Sequence, residues 1–398
     1  MINLSEPSVT KKEISLVSKV LYSKNLVDGY FQNISEKLIK KIIKTNYVAL
    51  TQSCSSALEV ASILINLKKN DEVLMPSYTF TSTANAVVMR GAKPIFVDIL
   101  PNLNINLNDL EKKITKKTKA IFVVHYGGMC CDMEKLIKIK KKYKLILVED
   151  AAHSFLSKYK NKYLGTFGDI ATYSFHATKN FSGAQAGALI INNKKFINNA
   201  DIILDKGTNR KKIINYKSKF HPTQRLSNVK FYTWKNIGSE YRASEISSAL
   251  VYAQISRRNE LQKKRSIIWN KYLKNFSNSE NACLKILKAE KYVSSSFHNF
   301  VLITKNAKIA KYLIHYLYKE KKIFASFHYI PLHSAPYSRK NLKNNQKLPI
   351  TESLFNRVVR LPLHSNLSIK QVEHIIKSVK LFFKVSNQNN KVFKKIQK

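Results

Sequence analysis

The sequence is poor in cysteine and glycine, and it contains no long apolar run. Four cysteines occur in 398 residues, none of them in a Cys-x-x-Cys arrangement, which predicts a reducing, cytoplasmic compartment and no zinc site. A membrane-spanning helix needs about 20 consecutive apolar residues, whereas apolar runs such as Ile121–Val124 are only as long as a strand. Residues 1–10 carry no apolar signal core, so secretion is not expected.

Acidic residues are also scarce. The chain has 69 Lys and Arg residues against 25 Asp and Glu, a net charge of +44, which raises the hypothesis of a nucleic-acid binder. Only ten of the basic residues are arginine, the side chain that binds phosphates in a bidentate way and reads bases. The lysines are spread along the whole chain. We therefore favour solvated lysine-rich faces over a nucleic-acid site, with anionic small molecules as ligands.

Ten glycines are few for this length, and eight of them lie between Gly127 and Gly238. Each glycine in such a chain is expected to meet a need of the backbone. Residues 127–238 are therefore expected to contain much of any functional site.

Short β-rich runs alternate with helical stretches, such as Ser55–Lys68 and Met133–Tyr143, in the first half of the chain. This alternation predicts an α/β fold with a mostly parallel sheet and helices on both faces. Seven strands are predicted: Tyr47–Leu50, Glu72–Met75, Pro94–Asp98, Ala120–Val124, Leu145–Glu149, Ile170–Phe175 and Ala188–Ile191.

The pattern changes after Gly238. Arg242–Phe276 is predicted to form one long helix, followed by a strand at Phe297–Thr304 and helices at Ala307–Lys319 and Ile369–Phe383. We predict a large domain over residues 1–240, a smaller C-terminal α+β domain over 241–385 and a disordered basic tail over 386–398. Residues 211–233 are predicted to be a long loop, and such loops are often functional.

Polar residues follow two of the predicted strands. Asp150 ends the buried run Leu145–Asp150, and ligands in open α/β sheets bind at the carboxyl ends of strands. A helix N-cap is the alternative explanation. Lys179 follows the next strand, where it could act as a Schiff-base nucleophile. Because the chain has 59 lysines, only its context supports this role.

Two further segments contain candidate ligand-binding residues. The polar run Thr51–Ala57 precedes a predicted helix and could bind a phosphate, although ordinary capping by Ser53 or Ser55 explains it equally well. Phe80, after the second strand, could stack on a planar ring or lie in the core. A phosphate site, an aromatic platform, a carboxylate and a lysine are together what pyridoxal phosphate requires.

The sequence resembles the DegT/StrS family of sugar aminotransferases, which have the fold of aspartate aminotransferase (fold type I of pyridoxal phosphate enzymes). The resemblance covers Ile2 to about Phe383, and it is most similar to the branch that forms dTDP-4-amino-4,6-dideoxygalactose. The matching stretches are Asp71–Asn85, Arg90–Lys93, Val148–Ala152, Ser174–Asn180, Lys206–Arg210 and Phe327–His333.

The resemblance implies a role for each matching residue. Lys179 would bind the cofactor aldehyde and then move the proton, Asp150 would pair with the pyridinium nitrogen, and Phe80 would stack on the ring. Three serines would hold the phosphate and a histidine would lie beside the ring: Ser55, Ser56, Ser174 and His153. The resemblance also implies a homodimer with its sites at the subunit interface, to which residues 238–242 contribute.

The implied reaction moves an amino group from glutamate to a nucleotide-linked 4-keto-6-deoxyhexose, of the dTDP-4-keto-6-deoxyglucose type, for surface polysaccharide. Another keto sugar nucleotide is the alternative. Candidate substrate contacts are Arg210, Arg242, His328, His333 and Gln185, although the two histidines could equally be structural.

Two residues depart from the family pattern. Gln185 stands where the family usually has Glu, and Glu240 stands where many relatives have an Asn that contacts the partner's cofactor phosphate. These departures support a second hypothesis, a catalytically impaired member that acts as a regulatory or binding protein. The retained Lys179 and Asp150 argue against it. Relatives with dehydratase activity carry His in place of the lysine, so Lys179 also favours transamination.

Overall fold

The computed structural model describes residues 1–210, 232–277, 284–343 and 345–388. Almost all of the predicted loop 211–233 lies outside the described residues, as does 389–398 of the predicted tail.

Strands and α-helices alternate over the first half of the chain. The strands are β1 (Tyr47–Thr51), β2 (Glu72–Pro76), β3 (Lys93–Val97), β4 (Thr118–Val124), β5 (Ile146–Asp150), β6 (Lys158–Tyr159), β7 (Lys162–Tyr163), β8 (Ile170–Ser174), β9 (Gly187–Ile191), β10 (Leu284–Ile286), β11 (Val293–Ser294), β12 (Phe300–Thr304) and β13 (Val358–Leu361). The α-helices are α1 (Lys11–Ser23), α2 (Tyr30–Ile43), α3 (Cys54–Leu64), α4 (Thr81–Val88), α5 (Leu107–Lys112), α6 (Met133–Lys142), α7 (Ile197–Leu204), α8 (Glu245–Ser256), α9 (Arg258–Ser277), α10 (Ala307–Lys319), α11 (Pro336–Asn341), α12 (Pro349–Leu354) and α13 (Ile369–Gln388).

A seven-stranded sheet forms the centre of the fold, in the order β1-β9-β8-β5-β4-β2-β3. The neighbours from β8 to β3 are all parallel, and β9 runs antiparallel to both β1 and β8. The predicted mostly parallel, seven-stranded sheet is confirmed, and each of the seven strands predicted for it matches an observed strand within two residues.

Both faces of this sheet are buried, as expected for a parallel sheet with helices on each side. One face, which includes Val148 of β5, packs on α3 and α7. The opposite face, which includes Leu147, packs on α5 and α6. Successive side chains of a strand point to opposite faces of the sheet. Glu149 therefore lies on the face of Leu147, and Asp150 lies on the face of Val148.

A smaller antiparallel sheet, β10-β12-β13, packs against α9, α10 and α13. The N-terminal segment joins this unit, because Ile2 forms a β-bridge with Ile323. The strand predicted at Phe297–Thr304 begins only at Phe300, since Phe297 adopts a left-handed backbone conformation (φ 53°).

The domain boundaries at 240 and 385 stay a prediction. In the described part of the chain no helix is both long enough and apolar enough to cross a membrane.

The single helix predicted over Arg242–Phe276 is wrong. Arg242 is extended and forms a bridge with Thr51, and the segment then forms two helices, α8 and α9, separated at Arg257. The guanidinium of Arg257 pairs with Glu13 and Glu260. The two helices pack on different partners, α8 on α1 and α2, and α9 on α13 and β10, which one straight helix could not reach.

Glu245, the first residue of α8, connects the chain across a long sequence distance. Its carboxylate is buried and accepts backbone N–H bonds of 2.8 to 3.1 Å from Gly29, Phe31 and Gln32. These amides belong to the N-cap and first turn of α2, where N–H donors have no acceptor within the helix and where negative charge is favoured. One carboxylate therefore fixes the N-terminus of α2 against α8.

We predict that Glu245→Ala lowers the free energy of unfolding by about 3 kcal/mol, because it leaves three buried N–H groups without a charged acceptor. Chemical denaturation of the purified protein measures the change. The control is Glu320→Ala, at an exposed position at the end of α10, which should change stability by less than about 0.5 kcal/mol. Equal effects of the two substitutions would contradict the capping role of Glu245.

Candidate active site

A cavity of about 830 Å³ opens at the carboxyl ends of β5 and β8. The strand ends, the N-terminal turns of α3 and α4 and the segment 327–332 surround it. Most of the predicted site residues line this cavity: Ser55, Phe80, Asp150, His153, Ser174, Lys179, Gln185 and His328. The fold therefore brings together predicted site residues that are up to 273 positions apart in the sequence, from Ser55 to His328.

Asp150 is the acidic residue in the cavity wall. Its carboxylate is buried and accepts hydrogen bonds from Thr83 Oγ1 (2.7 Å) and Ala152 N (3.2 Å). Burial raises its pKa above the ordinary value, and these bonds and the charge of Lys179 offset the effect only in part. An ionised carboxylate can accept about four hydrogen bonds, so Asp150 can also receive a cationic N–H.

Glu149, the preceding residue, has a structural role, because its carboxylate is bonded to other parts of the same chain. Its carboxylate is fully buried and accepts bonds of 2.5 to 2.8 Å from Gly165 N, Phe167 N, Gly168 N and His125 Nε2. Burial alone would raise its pKa, but the His125 contact and these amides lower it below the ordinary value. Neighbouring carboxylates therefore have opposite pKa shifts because they lie on opposite sides of β5.

Lys179 lies in a tight loop between β8 and β9. The loop is closed by Phe175 N donating to Ala186 O (2.8 Å) and by Ala177 N donating to Ala184 O (2.8 Å). Burial lowers the pKa of Lys179 to about 8, and the nearby Asp150 only partly opposes the effect. A minority of this amine, but far more than of an ordinary lysine, is therefore neutral near physiological pH, as a nucleophile or a proton carrier requires.

The N-terminus of α3 forms the polar end of the cavity. Ser53 caps the helix by accepting from Ser56 N (3.0 Å), and Ala57 N donates to Ser53 O. The earlier amides of the first turn are left for water or for a ligand, and Ser55 Oγ lies 2.6 Å from Ser82 Oγ of α4. Ser55 lines the cavity, whereas the hydroxyl of Ser56 is directed to Ser53 Oγ (2.9 Å).

Aromatic rings form the other walls. Phe80 is 58% exposed and lies 6.2 Å from the ring of Tyr329. His153 is buried, and its Nδ1 accepts from Gly127 N (3.2 Å), so the proton is on Nε2, which faces the hydroxyl of Tyr329 (3.5 Å). Burial and the charge of Lys179 lower the pKa of His153 far below its ordinary value. It is a neutral planar ring beside the cavity.

Comparison with known proteins supports the same chemistry. Residues 7–380 match the DegT/DnrJ/EryC1/StrS aminotransferase family. The chain belongs to this family.

Similar proteins of this aminotransferase family include curated sequences and solved structures. The chain is 30% identical to GDP-perosamine synthase of Escherichia coli O157:H7, over 96% of this chain and 98% of that one. Helicobacter pylori PseC, an aminotransferase involved in pseudoaminic acid biosynthesis, superposes with a TM-score of 0.86 at 27% identity, covering 96% and 99% of the two chains. A putative sugar aminotransferase from Streptococcus pneumoniae, Spr1654 in its PMP form, gives 0.86 at 26% identity, covering 96% and 99%.

The cofactor of the DegT aminotransferases is pyridoxal phosphate, and the cavity fits it. Asp150 is a buried carboxylate that lacks a cation partner at bonding distance among the described residues, as a pyridinium nitrogen requires. Lys179 supplies an amine of lowered pKa. The first turn of α3 and the hydroxyls of Ser55 and Ser174 supply donors for a phosphate.

Three predicted substrate contacts lie outside the main cavity. Arg242 is buried and pairs with Asp201 (2.8 Å). Arg210 pairs with Asp28 (2.7 Å). The imidazole of His333 is bonded to Ser77 Oγ (2.7 Å) and to Glu352 (3.1 Å). Within this chain these contacts are structural, and a role toward substrate stays a prediction.

Arg210 and Arg242 instead line a neighbouring cleft of about 370 Å³, together with Lys206, Glu240 and Gln185. Gln185 lines both this cleft and the main cavity. Glu240 forms an ion pair with Lys206. Lys206 therefore balances the charge of the carboxylate that departs from the family pattern.

The sequence analysis missed several residues of the site. Thr83, which fixes Asp150, lies in the segment Thr79 to Thr83, where four of the five residues carry a hydroxyl. That enrichment could have indicated it from the sequence. Tyr329 lines the cavity, whereas His298 and Arg360 line a smaller cavity that adjoins it and shares Lys179 with it. All three come from the second half of the chain, and the Phe327–His333 motif pointed only to Tyr329.

We predict that the reaction of Lys179 with pyridoxal phosphate rises with pH through about 8. Only the neutral amine attacks an aldehyde, and a free lysine side chain becomes neutral only near pH 10.4, about two units higher. Protein stripped of cofactor would be mixed with pyridoxal phosphate between pH 6.5 and 9.5, reduced with borohydride and mapped by mass spectrometry.

The control in the same digest is the peptide that contains Lys195, an exposed lysine. At pH 8 we expect Lys179 to be modified at least about tenfold faster than Lys195. Equal modification of the two, or preferential reaction at another lysine, would contradict the assignment of Lys179.

Proposed function

We propose that this aminotransferase moves an amino group from glutamate to a nucleotide-linked 4-keto-6-deoxyhexose, as a step in making surface polysaccharide. The observation that carries the proposal is that Lys179 and Asp150 line one cavity, next to the N-terminus of α3. The resemblance to the branch that forms dTDP-4-amino-4,6-dideoxygalactose implies a dTDP-linked sugar, and similarity to a GDP-perosamine synthase makes a GDP-linked sugar the first alternative.

The side chains divide the chemistry between them. Pyridoxal phosphate, when bound, acts as an electron sink for the carbon next to the amino group. Asp150, held by Thr83 and Ala152, would keep the ring nitrogen protonated, and Lys179 would take a proton from that carbon and return it. Phe80 and His153 would confine the ring, with His153 neutral because its burial lowers its pKa.

The charge of the chain suits the proposed substrates. Sugar nucleotides carry a diphosphate, and a protein with a net charge of +44 attracts such dianions over a distance of about one Debye length. We expect this attraction to raise the association rate at low salt. We also propose a cytoplasmic location, because Cys54, Cys130 and Cys131 are free thiols and disulfides are uncommon in that compartment.

A homodimer is part of the proposal. The cleft beside the active site contains Arg210, Arg242 and Glu240 and shares Gln185 with the main cavity. Val27 lines this cleft and is 64% exposed in the single chain. Trp234 is 78% exposed, and its backbone forms a bridge with Thr208, between the cleft residues Lys206 and Arg210. A second subunit placed here would cover Trp234 and bring polar groups to the edge of the active site.

The proposal is tested with the purified holoenzyme in its pyridoxamine phosphate form. Each of the dTDP-, GDP- and UDP-linked 4-keto-6-deoxyhexoses would be added separately, and the cofactor absorbance and the aminosugar product would be followed. We predict turnover with one of these sugars and glutamate, and a loss of at least about 10³-fold in Lys179→Ala, because the proton carrier is removed.

Lys195→Ala, at an exposed position, is the matched control and should keep full activity. Light scattering on the same sample should give twice the chain mass of 45.7 kDa. If glutamate converts the cofactor but no sugar accepts the amino group, the acceptor is a different ketone. If neither half-reaction occurs in the folded holoenzyme, the proposed function is wrong and the regulatory or binding role takes its place.

A further inference from the structure

The side chain of Asn180 joins the loop that carries Lys179 to a distant part of the chain. Its Nδ2 donates to Ser296 O (2.7 Å), and its Oδ1 lies 2.8 Å from His298 Nδ1. Because a backbone carbonyl oxygen can only accept, the amide nitrogen must face Ser296, and Oδ1 must accept the proton of His298. Both ends of one amide are therefore used, although no step of the proposed reaction involves this side chain.

The same short segment, residues 296–298, also contacts His153. Ser296 Oγ donates to His153 O (2.7 Å). The imidazole of His298 stacks on that of His153, with ring centres 4.2 Å apart and planes at 24°. Since His153 lines the main cavity, residues 296–298 connect this histidine with the residue that follows Lys179.

The backbone of this segment is held in an uncommon conformation. Phe297 has a left-handed φ of 53°, which is rare for a bulky side chain and persists only where the surroundings enforce it. Arg265 of α9 is buried, and it donates to Phe297 O (3.1 Å) and to His298 O (2.7 Å). The resulting bend presents Ser296 O and the His298 ring to the same amide.

The bond to Asn180 also fixes the form of His298. With its proton on Nδ1, the ring carries its lone pair on Nε2. Burial and the charge of Lys179 lower the pKa of His298 far below its ordinary value, so the ring is neutral. His298 and Lys179 both line the smaller cavity, and a neutral ring there adds no negative charge that would favour the ammonium form of the lysine.

The groups that act on the charge of Lys179 come from several elements. Burial has the largest effect and lowers the pKa of the amine, Cys54 on α3 and Asp150 on β5 act in the opposite direction, and Arg360 on β13 lowers it further. Four histidines around the amine have a pKa that is lowered by burial and also by the charge of Lys179: His153, His176, His298 and His328. A displacement of the lysine loop would therefore change the pKa of the amine.

We propose that Asn180 is a positioning residue for Lys179. Its amide holds the lysine loop against residues 296–298 and keeps the proton of His298 on Nδ1, so that the amine has one fixed place beside the stacked rings of His298 and His153. A displacement of about 1 Å in a catalytic group can cost about 10²-fold in rate. The proposal rests on the proposed function, and it adds that a segment from the second half of the chain determines where the reactive amine lies.

The first test measures Lys179 in protein stripped of cofactor, so it does not depend on turnover. A trace of acetic anhydride, which reacts only with neutral amines, is added between about pH 6.5 and 11, and acetylation is quantified by mass spectrometry. The wild type should show half-maximal acetylation of Lys179 near pH 8. In Asn180→Ala we expect this midpoint to rise by at least about one pH unit, because the amine is no longer held in its buried place.

Asn192→Ala is the matched control. Asn192 is also a partly buried asparagine that joins distant segments, with bonds to Thr45 Oγ1 (2.7 Å), Gly165 O (3.1 Å) and Gly168 O (3.0 Å), and it lines neither cavity. This variant should melt at a lower temperature than the wild type and keep the midpoint near pH 8. If Asn180→Ala likewise loses stability and keeps the midpoint, Asn180 has only a structural role and the proposal is wrong.

The second test follows single-turnover amino transfer from glutamate to the cofactor in the holoenzyme. We expect Asn180→Ala to lower the maximal rate by about 10²-fold. The half-saturating glutamate concentration should stay within about threefold of the wild type, because Asn180 lines neither cavity. A wild-type maximal rate in this variant, or a loss confined to glutamate affinity, would contradict the positioning role.

His298→Phe shows whether Asn180 acts through the histidine. Phenylalanine keeps a ring to stack on His153 but has no Nδ1–H, and this variant also supplies the comparison if Asn180→Ala does not fold. If the two residues act as a unit, the double variant should be no slower than the slower single variant, whereas multiplied losses would contradict the proposal. Failure of the wild type in both half-reactions would reject the proposed function, while the acetylation midpoints would still decide the role of Asn180.

Discussion

The alternation of side chains at the end of β5 is the constraint on which the site depends. Glu149 and Asp150 are neighbours, yet they lie on opposite sides of the strand. Glu149 is buried among His125 and the backbone amides of residues 165–168, and it fixes the loop that leads into β8. Asp150 faces the cavity, and its carboxylate accepts two hydrogen bonds from the described residues. Because β5 and β8 are parallel neighbours, the same geometry brings the loop that carries Lys179 to the same edge of the sheet.

The electrostatic character of the site follows from this arrangement. Asp150 is the one acidic residue in the described lining of the two cavities, and Lys179 and Arg360 supply positive charge. Burial acts on each group in the expected sense: it raises the pKa of Asp150 and lowers that of Lys179. The carboxylate is therefore suited to a cationic ring nitrogen, and the excess positive charge is suited to anionic substrates. The overall lysine excess gives an attraction of the same sign at longer range.

The sequence predicted the large sheet well, because buried parallel strands appear as short apolar runs, and polar residues directly after two of them located Asp150 and Lys179. It failed where the outcome depends on packing between distant segments. The division of the predicted helix at Arg257 depends on Glu13, more than 240 residues away, and Arg360 enters the site only because β13 packs beside β12. Local sequence also could not show that Arg242 and His333 bind other side chains of the same chain.

The most direct test of this account is a comparison of Asp150→Asn with Glu149→Gln, two changes that remove one carboxylate charge from adjacent positions. Thermal unfolding and the rate of amino transfer from glutamate to bound cofactor are measured for both holoenzymes. The account predicts that Asp150→Asn keeps the stability of the wild type and slows transfer by about 10²-fold or more. Glu149→Gln should lose about 3 kcal/mol of stability, while its folded fraction keeps transfer within a few-fold. If Asp150→Asn transfers the amino group at the wild-type rate, or if the two variants lose stability equally, the division of roles along β5 is wrong.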